Sequence, residues 1–205
     1  MRAAARTLSL APIRSVCGSN QYNRIRDTIL TPSGLTEAQV QAVWVNAEDG
    51  SPTVSLPQSN ADAYGLEGHY GGLIRAMMQR WPNVKQVFFS SQIYTGFATT
   101  HLDPEPYAYE SGFAVKWTIE AQIVQRRTGT IDPIAGDLIT NAPFIAWGPY
   151  LWGADSQNPP GSQAITWLKS DVNSDGTHPD KFGIIKVVGA LTGFFMNSPY
   201  TPWFR

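Results

Sequence analysis

Three times along this chain a short run of β-branched and aromatic residues gives way to a longer stretch in which apolar residues recur every three or four positions. No other feature constrains the fold as much. The first run, Val40, Ala42, Val43, Trp44 and Val45, is closed by the turn-forming Glu48-Asp49-Gly50-Ser51-Pro52 and reads as a buried strand. Leu66, Tyr70, Leu73, Ile74, Met77 and Trp81 then predict a helix of about five turns, ended by Pro82; glycines 65, 68, 71 and 72 weaken it unless packing uses their small size. Residues 84–94 (VKQVFFSSQIY) predict a second strand, and Tyr109, Phe113, Trp117, Ala121 and Val124 a second helical stripe between Pro106 and Gly129. Residues 144–151 (FIAWGPYL) predict a third strand that stops at Gly148-Pro149. A last helix runs from Pro179 to about Met196 with Ile184, Ile185, Val188, Leu191 and Phe195 on one face. Such alternation implies an α/β protein with a parallel sheet and helices on its faces.

At 205 residues the chain is long enough for one domain, and 42% hydrophobic against 15% charged residues favours a packed core over disorder. A net charge of −1 offers no basic field for nucleic acid, and no apolar run reaches the roughly 18 residues of a membrane span. The single Cys17 excludes a disulfide framework and multi-cysteine metal sites. Residues 1–21 stand apart. Arg2, Arg6, Arg14, Arg24 and Arg26 precede the first acid, Asp27, without the apolar core of a secretory signal. This opening is read as an atypical segment, a transit peptide or, in preference, a mis-started frame joined to the domain of residues 22–205; the compartment stays open.

Ligands of parallel sheets sit at the carboxyl ends of the strands, which directs attention to residues 170–180 (SDVNSDGTHPD) beyond the third strand. Asp175, three residues before His178, can hold the imidazole through Nδ1 and leave Nε2 as a general base. The same residues allow a structural reading, in which Thr177 and Asp180 form a capping box with Pro179 in the first turn. Asp171, Asn173, Asp175 and Gly176 also imitate half a calcium loop, but position twelve is Phe182 and Lys181 stands beside it. His69 falls on a predicted helix as an ordinary surface or half-buried residue. His101, Asp103 and Glu105 are a minority metal reading beside a turn explanation. No phosphate loop or Gly-x-Ser-x-Gly elbow occurs, and no cofactor or metal is expected. Trp147, Tyr150 and Trp152 cluster at the end of the third strand, before residues 153–160, where rings can stack on a sugar or acyl chain or simply serve the core. Residues 200–204 are expected to dock the chain end.

Residues 22–27 (YNRIRD), 87–94 (VFFSSQIY), 106–117 (PYAYESGFAVKW), 145–152 (IAWGPYLW) and 175–179 (DGTHP) together resemble a bacterial branch of the SGNH (GDSL-type) hydrolases. The resemblance covers roughly residues 22–204, and its most specific element is Asp-x-x-His-Pro. It implies ester hydrolysis, with His178 as base and Asp175 as its partner. It also implies a flavodoxin-like three-layer α/β sandwich whose five parallel strands run in the order 2-1-3-4-5. The recognisable part begins after the family's first two strands, so the three strands found here take the third, fourth and fifth places. The nucleophile block, carried by the first strand, has no counterpart. Asn46 lies where the family's oxyanion-hole Asn follows the third strand, without the surrounding pattern. Ser19 imitates the nucleophile block superficially but stands in the wrong place, and so does Cys17.

A Ser–His–Asp device without its nucleophile keeps little beyond transition-state binding, so activity is expected to be very low. An absent neighbour would leave the Val43-Trp44-Val45 edge unpaired and prone to self-association. The expected partner is a small-molecule or carbohydrate ester, and the competing reading is a non-catalytic carbohydrate-binding or interaction module using Trp147, Tyr150 and Trp152.

Overall fold

The computed structural model describes residues 20–153 and 165–204. Among these described residues four α-helices, α1 (Asn20–Ile25), α2 (Asp62–Arg80), α3 (Tyr107–Thr128) and α4 (Lys181–Asn197), accompany three strands, β1 (Ala42–Val45), β2 (Gln86–Phe89) and β3 (Phe144–Trp147). The strands form one parallel sheet in the order β1-β2-β3, with Val43, Val87 and Ile145 in register. The chain is thus a small α/β domain.

Alternation along the strands divides the sheet into two faces. Val45, Val87, Phe89 and Ile145 pack with Tyr70, Ile74 and Met77 of α2 and Ala114 and Val115 of α3. On the opposite face, Phe88 meets Phe194 and Phe195 of α4 at ring-centroid distances of 5.2 and 5.7 Å. Tyr22 of α1 lies edge-on to Trp81, and Arg80 binds Glu37 at 2.5 Å, closing the amino-terminal end of the sheet. The chain end docks as expected, with Tyr200 on Phe144 and Trp203 Nε1 donating to Gln86.

The strands are shorter than the sequence predicts. Val40 closes a 3-10 turn, Glu37–Gln39, and is lost to β1. After Phe89 the last ladder bonds are Ser90 N to Val45 O and Gly148 N to Phe89 O. Beyond them the Ser91 hydroxyl takes over as acceptor for Leu151 and Trp152 N–H, so residues 90–94 leave the sheet. The third strand ends before Gly148-Pro149, as expected.

Two helix faces differ from expectation. In α3 the small and polar residues Ala108, Ser111, Gly112, Ala114, Thr118 and Gln122 are buried, while Tyr109 and Val124 are exposed. Gln122 anchors this face by donating to Leu138 O and Pro143 O and accepting from Ile145 N. In α4 only Gly183, Ala190 and Leu191 are buried, and Ile184, Ile185 and Val188 face outward at 53, 67 and 52% exposure. Gly183 is required by its position, since a Cβ there would meet the Asp171 carbonyl. Gly71 answers the question posed by the glycines of α2: it lets the Ala135 backbone press directly on the helix.

Candidate active site

Residues 172–179 form a closed loop ahead of α4. An isolated antiparallel bridge joins Val172 to Pro179, Asn173 N donates to His178 O at 2.8 Å, and Gly176 N donates to Asn173 O at 2.9 Å. Asp180, not Thr177, caps the helix: its Oδ1 accepts from Phe182 N and Gly183 N at 2.7 and 3.1 Å. That replaces the expected capping box and leaves Asp175 and His178 outside the helix.

The segment following β2 holds this loop from beneath. Thr99 N donates to Asp175 O at 2.9 Å, and Thr177 Oγ1 donates to Leu102 O at 3.2 Å. Gly176 adopts φ +72 directly against Phe97 O.

The local geometry orients the imidazole. Asp175 Oδ1 accepts from Thr177 N and His178 N, both at 3.0 Å, and Oδ2 lies 2.6 Å from His178 Nδ1. An ionised carboxylate only accepts, so Nδ1 carries a proton, and in the neutral ring Nε2 then presents a lone pair. The ring is 48% exposed, and among the described residues no group bonds to Nε2. Partial burial pushes the Asp175 carboxyl up, but bonds from the His178 ring and the two backbone N–H groups outweigh it and hold the carboxyl below its usual range.

Asn46 directly follows β1 and is buried, with Nδ2 donating to Ser91 O at 2.8 Å. Trp152 rests on Tyr109 at 4.8 Å and donates Nε1 to Glu105 at 2.8 Å. Tyr150 packs against Trp147 at 5.6 Å, and burial, then the nearby Tyr109 and Glu105, pushes its phenol up to about 12. Trp147 itself packs against the core shared by α2 and α3. Ser19, Cys17 and residues 154–160 lie outside the described residues.

The metal readings meet specific obstacles. His101 is exposed while Asp103 is buried, and Glu105 is occupied by Thr95 N, Tyr109 N and Trp152 Nε1. Asp171, the first residue of the half calcium loop, is buried and accepts from Lys186 Nζ at 2.5 Å. Among the described residues no group of three His, Cys, Asp or Glu is placed to hold a metal ion. His69 is exposed on α2. Among these residues, too, no helix is long and apolar enough to cross a membrane.

Sequence reasoning missed a set of buried acids at the same end of the sheet. Glu48, Asp103 and Glu110 are 9, 3 and 5% exposed. Burial, then the charges of neighbouring acids, pushes Asp103 up to about 8; burial and then Asp103 push Glu48 well up. They come from the end of β1, the loop before α3 and α3 itself, so no local spacing announces them. Comparison with protein-family models, curated proteins and solved structures finds no match to this chain.

Proposed function

We propose that the chain carries the acid–base half of an SGNH-type ester-hydrolysing site, with His178 as general base and Asp175 as its orienting and charge-stabilising partner. The observation that carries this reading is the 2.6 Å contact of Asp175 Oδ2 with Nδ1, which leaves Nε2 facing solvent. Nε2 takes a proton from the attacking hydroxyl as its oxygen adds to the ester carbonyl, and returns that proton to the departing alkoxide. With no hydroxyl bound to Nε2 among the described residues, water is the expected nucleophile, and the rate is correspondingly low.

On this reading β1, β2 and β3 are the third to fifth strands of a three-layer sandwich, supported by their parallel order and by packing of helices against both faces. The resemblance assigns Asn46 as an oxyanion donor, a role open only to the Nδ2 hydrogen not spent on Ser91 O, and Tyr150 and Trp152 flank the acyl or carbohydrate part of a small ester. The outer edge of β1 is then the place for self-association. Slow hydrolysis of p-nitrophenyl acetate, lost in His178→Ala and without fluorophosphonate labelling of the chain, is the expected result. Hydrolysis undiminished in His178→Ala would remove the proposal.

A further inference from the structure

A small void lies between the segment after β1, the start of α2 and the start of α3. Room for a water-sized occupant is about 10 Å³, and the whole space between its walls, open solvent at the mouth included, is about 240 Å³. Asp49, Asp62, Asp103 and Glu110 supply its polar wall, and Leu66 and Pro52 part of its apolar wall. Asp103 Oδ2 and Glu110 Oε2 are fully buried and have no hydrogen-bond partner. Buried acceptors left unpaired are costly, and native structures seldom keep two at one void without something to fill them.

The charges acting on these two carboxyls are all of one sign: Glu105 and Asp49 act on Asp103, and Asp62 and Glu105 on Glu110, while Glu48 lies buried beside Asp103. An anion would be repelled. A divalent metal lacks its ligand set, since no three suitable side chains gather among the described residues. A guanidinium fork is wider than a void that admits roughly one water. A compact –NH₃⁺ head suits the space: it offers three donors to unpaired acceptors, and its alkyl stem can run along Leu66 and Pro52 toward the solvent at the mouth.

We propose that this void binds the ammonium head of a primary alkylamine, held between Asp103 and Glu110. The site is independent of the ester-hydrolysis reading, because its test measures binding alone. Empty, the site holds a proton on Asp103, which burial has pushed up to about 8; burial pushes Glu110 in the same direction. A cation favours the ionised carboxyls, so binding releases protons and tightens as pH rises toward 8.

The experiment is calorimetric titration of the full chain with n-butylammonium chloride at pH 6, 7 and 8, with n-butanol and potassium chloride as controls. Saturable one-to-one binding is expected, tightening by up to about ten-fold per pH unit for each proton released. Asp103→Asn is expected to weaken it at least ten-fold and to flatten the pH dependence. Asn tolerates the φ of +46 found at Asp103, and an unlowered melting temperature would show that the variant folds. Glu110→Gln supplies a second variant with the same expected loss. Binding of n-butanol as tight as that of the amine, uptake of potassium with exclusion of the amine, absence of saturable amine binding to the folded chain, or unchanged affinity in both variants would each overturn the proposal.

Discussion

Asp175 spends both oxygens within its own loop, one on two backbone N–H groups and one on the imidazole. Because its folded pKa is depressed, the stability it contributes is present above the unfolded value near 4 and is lost as pH falls through the lower folded value. Asp175→Asn keeps the shape but turns an N–H₂ toward Nδ1, which forces the ring proton to Nε2. The expected outcome is a fold retained to within about 1 kcal/mol with the tautomer reversed, as ¹⁵N spectra of the His178 ring would show; an unchanged tautomer would contradict the assigned role. This pair was legible in the sequence because three residues of a turn fix its geometry locally. The acids around Asp103 were not, since their meeting depends on three distant segments, and the His101, Asp103 and Glu105 triple fails because burial separates its members.

Elements differ in what their pattern reveals. The parallel strands and the span of α2 follow from periodicity, whereas the inward faces of α3 and α4 do not: small residues gain burial by allowing close approach, and a hydrophobicity pattern gives them no weight. Gly176 shows the same logic in a turn. Gly176→Ala would place a methyl against Phe97 O at a positive φ, and a loss of about 2 kcal/mol or more is expected in denaturant unfolding. At the sheet edge, Ser90 N bonds to Val45 O and Gln86 N to Gln41 O, so the odd-numbered residues of β1 serve β2 and Ala42 and Trp44 turn their backbone groups outward. Among the described residues no strand pairs there. Ala42→Pro removes an outward N–H, and sedimentation velocity is expected to show less association than wild type with the same melting temperature.

The whole molecule carries an unusual proton balance. Asp103, Glu48, Glu110 and Glu67 all have raised pKa values, Glu67 at about 7 through burial and then Asp132 and Glu120. Raised carboxyls bind protons more tightly folded than unfolded, so stability falls as pH climbs from about 4 toward 8. Calorimetric scans should place the highest melting temperature near pH 5 and a value lower by about 5 °C or more at pH 8; a melting temperature that rises over this range would contradict the burial of these groups. One tether gives this balance a longer reach. Thr177, between the carboxylate and imidazole of the candidate pair, hangs from the carbonyl of Leu102, whose next neighbour is Asp103. Were titration of the void to change the affinity at the ring's open side through this bond, reciprocity would require the ring's occupant to change the void's affinity by the same factor.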